Sequence, residues 1–138
     1  MRTVVVDTNV VAYFLLGTRP FVEEARHFWR AVAEPIAPAL WEAELANVVW
    51  MAVRTGLVPA DEGSKRLDWA ARLGVHSVPI KTLWQGALAR SVGSGVAVYD
   101  TLFVELAGRE RLLLATFDTK ILGAFPDIAK RPGDLFPK

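Results

Sequence analysis

The sequence predicts an α/β fold with a parallel sheet and helices on both faces. Two apolar runs, Val4-Val5-Val6 and Leu112-Leu113-Leu114-Ala115-Thr116, are too continuous for half-exposed strands and read as strands buried on both sides. Segments with apolar residues at helical spacing alternate with short strand signals along the chain, the order expected of βα units. Asp7 follows the first run and Asp118 the second. In open α/β sheets ligands bind at the carboxyl ends of the strands, so both acids fall where chemistry is usually found.

Taken in order, Val4 to Val6 is the central strand and Val10 to Leu16 the helix after it. Gly17-Thr18-Arg19-Pro20 breaks the chain. Phe21, Ala25, Phe28 and Val32 recur at helical spacing, which predicts an amphipathic helix from about Pro20 to Ala33. Ile36-Ala37, between two prolines, is a weak strand signal. Pro38 opens a helix from about Ala39 to Thr55 that Gly56 stops, with Leu40, Glu44, Asn47, Val48 and Met51 on the face expected to turn inward. Another helix runs from Pro59 to near Gly74, followed by a strand from Val75 to Pro79. Thr82 is expected to cap a helix reaching Val92, with Leu83, Ala87 and Leu88 inward. Gly93-Ser94-Gly95 reads as a loop. A helix from about Tyr99 to Gly108 carries Asp100, Phe103, Val104 and Ala107 on one face. After the second buried strand come a short helix over Thr119 to Ala124 and an edge strand near Ile128 in the proline-containing tail.

The chain has 138 residues, 52% hydrophobic and 22% charged, which suits one domain over residues 1–138 with a single core. A net charge of +1 excludes a polybasic nucleic-acid arm while allowing a local basic patch. With no cysteine there is no disulfide, thiolate nucleophile or zinc–thiolate site. His27 and His76 show no metal-ligand spacing. The chain starts directly with a strand, and no apolar run approaches the ~20 residues of a membrane span. A soluble cytoplasmic protein with no membrane contact is the expectation.

Asp7, Asp100 and Asp118 each lie near a helix start, where an aspartate caps free N–H groups and meets the positive end of the helix dipole. Glu44 lies mid-helix on a face otherwise made of Leu40, Val48 and Met51. A carboxylate there is either paired or lines a site, because an unpaired buried charge costs several kcal/mol. Glu42 is rotated by about 200° from it and is expected in solvent. Two acids on inward faces and two at the ends of the buried strands suggest one cluster. Two carboxylates ~5 Å apart repel by about 3 kcal/mol at an effective dielectric near 20, so four need protons or cations. Oxygen ligands alone favour Mg²⁺ or Mn²⁺ over Zn²⁺.

These motifs resemble those of the PIN-domain family and, within it, the VapC-type ribonuclease toxins. Val6-Asp7-Thr8-Asn9-Val10 matches the family's strand-end acid, Glu44-Leu45-Ala46-Asn47-Val48 its mid-helix glutamate, Tyr99-Asp100-Thr101-Leu102 its third acid, and Leu114-Ala115-Thr116-Phe117-Asp118 its strand, threonine and fourth acid. Each motif alone is weak; the four in order, along a chain of family length, are specific. The resemblance implies a three-layer α/β/α sandwich with a central parallel sheet. It implies a Mg²⁺- or Mn²⁺-dependent endoribonuclease in which Asp7, Glu44, Asp100 and Asp118 hold the metal and form the catalytic site. Thr8, Asn9 and Thr116 are candidates for hydrogen bonds that orient the carboxylates, with turn and capping roles equally open to them. The RNA substrate would be held mainly through its phosphates, with Arg54, Lys65, Arg90 and Lys120 as candidate contacts.

The resemblance further implies a homodimer and a cognate VapB-like antitoxin. Trp41, Val49, Trp50, Val53 and Trp84 offer apolar surface for the first, and Phe14, Leu15, Leu16, Phe21 and Phe28 a groove for the second. The five tryptophans are expected in packing rather than base stacking. Receiver domains need a pair of acids after the first strand and haloacid-dehalogenase phosphatases need Asp-x-Asp; Asn9 breaks both patterns. A PIN-fold RNA-binding module without nuclease activity is the alternative from another class.

Overall fold

The computed structural model describes residues 2–137. Its strands are β1 (Thr3–Val6), β2 (Glu34–Pro38), β3 (His76–Val78), β4 (Leu114–Ala115) and β5 (Ala129–Lys130). Its helices are α1 (Thr8–Leu16), α2 (Val22–Ala31), α3 (Leu40–Arg54), α4 (Ala60–Ala71), α5 (Trp84–Ser94), α6 (Val98–Glu110), α7 (Thr119–Ala124) and α8 (Pro132–Leu135), with a 3₁₀ turn over Ile80–Thr82. All strand pairs are parallel, in the order β3-β2-β1-β4-β5, with Val5 opposite both Ile36 and Leu114.

This order places the site. The chain lays down β1, β2 and β3 in one direction and then returns to add β4 and β5 on the other side of β1. The order therefore reverses between β1 and β4, opening a crevice at their carboxyl ends. Successive strand residues face opposite sides of a sheet. Val4, Val5 and Val6 are nevertheless all buried, so both faces of β1 are covered. α6 packs on β1 and β2, α5 covers α6, and α1 lies among α2, α3 and α4. Buried between two layers, α6 encloses Leu102, Phe103, Val104, Leu106 and Ala107.

Several expectations need correction. The inward stripe of α3 is Trp41, Leu45, Val49 and Ala52, while Asn47 and Met51 are exposed. The face expected to be buried is thus turned by about one residue, or 100°. α4 and α1 both pack on that side of α3, and Gly63 permits the close approach of α4: a methyl group there would stand 2.9 Å from Val53 and 3.3 Å from Val49. Trp41 and Val49 are consequently core residues, as are Leu15 and Phe28 from the expected groove. Leu88 points outward, and Thr82 bonds back to the Pro79 carbonyl rather than capping α5. α5 continues through Ser94 and stops at Gly95, whose φ of 77° lies in the left-handed region that glycine adopts without strain. The terminal helix α8 is unanticipated; Pro132 opens it and Leu135 is buried.

Candidate active site

Four elements deliver four acids to one pocket of about 260 Å³. Its lining comprises Asp7, Thr8, Asn9, Ala12, Tyr13, Glu44, Val48, Asp100 and Asp118. Asp7 ends β1 and Asp118 follows β4, both at the crevice where strand order reverses. Glu44 comes from the second turn of α3 and Asp100 from the first turn of α6. The four predicted site acids therefore line one pocket.

The capping role applies to two of them. Asp7 Oδ1 accepts from Thr8 N at 2.8 Å, and Asp118 Oδ1 accepts from Lys120 N at 2.8 Å and Ile121 N at 3.2 Å. Asp100 caps nothing, and α6 starts at Ala97 without a side-chain cap. Its place is set by its neighbour instead. Thr101, fully buried, donates to the Ala87 carbonyl at 2.9 Å and lies 2.8 Å from Ser91 Oγ, tying the start of α6 to α5.

The three predicted orienting residues all touch an acid or its support. Thr8 Oγ1 donates to Glu44 Oε1 at 2.8 Å. Thr116 Oγ1 donates to Asp7 Oδ2 at 2.7 Å and accepts from Asp118 N at 3.0 Å. Asn9 reaches Asp7 Oδ2 with its amide nitrogen at 3.4 Å and accepts from Phe117 N at 3.2 Å. Together they tie β1, α1, α3 and the β4–α7 turn into one polar network.

Negative charge in this network is held against resistance. Asp7 is 6% exposed, and its carboxyl is pushed up to about 7. Burial is the main cause; the Thr116 hydrogen bond opposes it, and the charges of Asp100 and Glu44 add to it. Glu44 is raised by burial against the Thr8 hydrogen bond, with Asp100 contributing. Asp100 is raised by burial and by Asp118, with Lys120 opposing. Lys120 is thus the predicted phosphate contact whose charge reaches the site. Lys65 pairs with Glu62, and Arg90 pairs with Glu105.

Among the described residues no three acidic or histidine side chains converge closely enough to enclose an ion as they stand. The acids ring the pocket rather than meet at its centre. Their chemistry nonetheless suits a hard divalent cation: all donors are oxygens, and their mutual repulsion has too little positive charge to balance it. A larger cavity of about 470 Å³ lies beside Glu24, His27, Arg131, Gly133 and Asp134. Its principal charges already satisfy each other, since Glu24 accepts from Arg131 at 2.6 and 3.2 Å and from Gly133 N at 2.9 Å.

The PIN domain family model matches residues 4–130, which spans all four acids and, but for Thr3, the five strands. The chain belongs to the PIN-domain family. Ribonuclease VapC3 of Pyrobaculum aerophilum is 36% identical over 87 residues, covering 60% of this chain. The chain spans 65% of the length of that relative. A toxin–antitoxin complex from Klebsiella pneumoniae contains a chain with TM-score 0.68 and 19% identity, the match covering 94% of this chain and 97% of that one. VapBC2 from Rickettsia felis, bound to a DNA fragment from their promoter, gives TM-score 0.66 and 13% identity over 94% and 98% of the two chains. At those identities the two structures share the PIN fold with this chain.

Sequence reasoning missed three lining residues of this PIN-domain pocket, Ala12, Tyr13 and Val48, of which Tyr13 is the one with a polar group. Tyr13 lines it beside Ala12, and a signal was present: Asn9, Ala12 and Tyr13 lie three and four residues apart and so share a helix face with the site.

Proposed function

We propose that this PIN domain is a divalent-metal-dependent endoribonuclease of the VapC type, the toxin of a toxin–antitoxin pair. The observation that carries the reading is the gathering of Asp7, Glu44, Asp100 and Asp118 around one pocket whose negative charge is largely uncompensated. The relative named as a ribonuclease supports the activity, and the toxin–antitoxin complexes that share the fold support the biological setting.

Asp7, Glu44, Asp100 and Asp118 would hold Mg²⁺ or Mn²⁺, directly or through waters. Such an ion, when bound, acidifies water and offsets charge on a phosphodiester. Thr116 and Thr8 N fix the two oxygens of Asp7, and Thr8 Oγ1 fixes Glu44, so the carboxylates meet their ligand already oriented. Lys120, exposed at the start of α7, supplies positive charge for a substrate phosphate at the rim. The reaction is phosphodiester hydrolysis, with water adding at phosphorus and the 3′-oxygen leaving, to give a 5′-phosphate and a 3′-hydroxyl. No serine, cysteine or histidine nucleophile is needed.

Two partners belong to the same reading. α5 leaves Trp84, Leu88 and Val92 in one exposed stripe at i, i+4 and i+8, and Trp50 is exposed on α3; a homodimer would cover such surface. A VapB-like antitoxin would silence the site. The test is cleavage of single-stranded and structured RNA by the wild type, Asp7→Asn and Asp100→Asn. Cleavage that requires Mg²⁺ or Mn²⁺, stops with EDTA and disappears in both variants is expected. RNA binding without ion-dependent cleavage would instead indicate the non-catalytic module, and equal cleavage by the variants would refute the site.

A further inference from the structure

The carboxylate pocket has an apolar wall that metal chemistry does not use. Ala12, Tyr13 and Val48 line it together with the acids. Tyr13 is half-buried and stacks on Phe21, with ring centroids 4.6 Å apart and planes 14° apart. Phe117 closes a triangle, 5.4 Å from Tyr13 and 5.0 Å from Phe21. Behind these rings the Arg131 guanidinium stands 4.9 Å from the centre of Phe117 and 5.7 Å from that of Phe21. Glu24 holds Arg131 through both oxygens, so this cation braces the aromatic cluster instead of reaching for phosphate. Phe117 N is itself bonded to Asn9, which ties the cluster to the carboxylate network.

We infer that Tyr13, braced by Phe21 and Phe117, is the wall against which the base of a nucleotide next to the scissile phosphate packs. The inference rests on the ribonuclease reading and adds a binding subsite to it. A phosphate drawn to a cation that the acids would hold brings its adjoining nucleosides to the same small pocket, and Tyr13 lines that pocket. Aromatic walls hold unpaired bases through their π faces with little regard to sequence, which favours single-stranded RNA over a duplex whose bases are already stacked. A basic peptide segment of a protein partner is the competing occupant, and the experiment tells the two apart.

The probe is a fluorescein-labelled single-stranded RNA oligonucleotide, intact or with one abasic ribose stepped along it. Binding is read by anisotropy with Mg²⁺ in the Asp100→Asn background, and cleavage is read separately with Asp100 intact. Tyr13→Ala and Tyr13→Leu should each weaken binding by about tenfold, the size of one base–aromatic stack, while Tyr13→Phe retains it. In cleavage the loss should appear in KM with kcat nearly kept. One abasic position should weaken the Tyr13 protein by the same factor and the Tyr13→Ala protein no further. Tyr13→Leu preserves apolar volume, so binding equal to wild type in that variant would reduce the ring to packing and overturn the inference. Abasic losses of equal size with and without Tyr13 would overturn it as well, as would Tyr13 variants that bind RNA normally and lose only a protein partner. Failure of the wild type to cleave any RNA would refute the ribonuclease reading while the anisotropy result still decides the subsite.

Discussion

Thr116 Oγ1 donates a 2.7 Å hydrogen bond to Asp7 Oδ2, joining the turn after β4 to the end of β1 across the line where the strand order reverses. The same oxygen accepts from Asp118 N. One fully buried hydroxyl thus fixes two of the four acids.

Thr116→Val should therefore act on chemistry and stability together. It keeps the shape and removes both hydrogen bonds, leaving Asp7 Oδ2 with only the 3.4 Å contact from Asn9. Loss of a partner to a buried polar group costs about 1–3 kcal/mol. The midpoint of thermal unfolding should fall, and divalent-ion affinity with it. Thr116→Ser should restore both. Calorimetric melts and ion titrations of the two variants check this, and a valine variant that binds the ion normally would show that Thr116 is only a packing residue.

The Asp7 carboxyl, pushed up to about 7 by burial, makes the ion-free protein lose stability as pH rises. Below about pH 4 the group is protonated in both folded and unfolded chains and nothing is lost. Between about pH 4 and pH 7 the unfolded chain releases the proton while the folded chain keeps it, so unfolding becomes easier with each step upward; above pH 7 the deficit stays constant. The full difference corresponds to about 4 kcal/mol. Glu44 and Asp100 are raised too and add in the same direction. In EDTA, Asp7→Asn should melt higher than wild type at pH 8 and close to it at pH 4. Added Mg²⁺ or Mn²⁺ should stabilise the wild type far more at pH 8 than at pH 5, by about 2.7 kcal/mol at a hundred times its dissociation constant. Equal ion effects at the two pH values would contradict the carboxylate site.

Gly86 offers a case where packing and helix propensity predict opposite signs. It lies inside α5, where alanine is ordinarily better by about 1 kcal/mol. A methyl group there would overlap the Glu105 carboxylate of α6, which Arg90 and Arg109 hold at 2.9 Å on either oxygen. The carboxylate can move aside only by loosening both of these ion pairs, so Gly86→Ala should destabilise by about 1–3 kcal/mol, as overpacking does. In a double-mutant cycle with Glu105→Ala the two losses should be less than additive. Denaturant melts measure both.

Much of this architecture was legible because burial leaves a plain mark. Val4 to Val6 and the run Leu112 to Thr116 announced the central strands, although β4 is only Leu114–Ala115 and Leu112 and Leu113 are half-buried; acids after both runs announced the crevice. Ile36-Ala37 carried little signal alone, and the pairing of β2 between β1 and β3 makes it a strand. The face of α3 was unreadable for a different reason. Leu40, Val48 and Met51 form one apolar stripe and Trp41, Leu45 and Val49 another, about 100° apart. Tertiary packing on α1, α4 and β2 chooses between them, with Gly63 on α4 giving Val49 and Val53 room for close approach. Glu44 still reaches the pocket because the rotation leaves it at the edge of the buried stripe. Tyr13 escaped notice because its role depends on Phe21 and Phe117, and Phe117 is brought beside it by the sheet rather than by the local sequence.

The exposed stripe on α5 gives a last prediction. Trp84, Leu88 and Val92 are 50%, 56% and 81% exposed, although the three positions repeat at the spacing of a helix face made to be covered. Within the chain another side of α5 is occupied: Ala87, and Leu83 just before the helix, are buried in the core, and α5 packs on α6. The outer stripe is therefore free for a second copy, and self-association through it removes large apolar side chains from water at roughly 25 cal/mol per Å². Leu88→Glu should shift the chain toward monomer in light scattering at micromolar concentration. Because Leu88 faces solvent, the variant should melt within about 0.5 kcal/mol of wild type at dilutions where both are monomeric. A wild type that is monomeric throughout would remove the dimer from the reading and leave the pocket chemistry intact, since all four acids come from one chain.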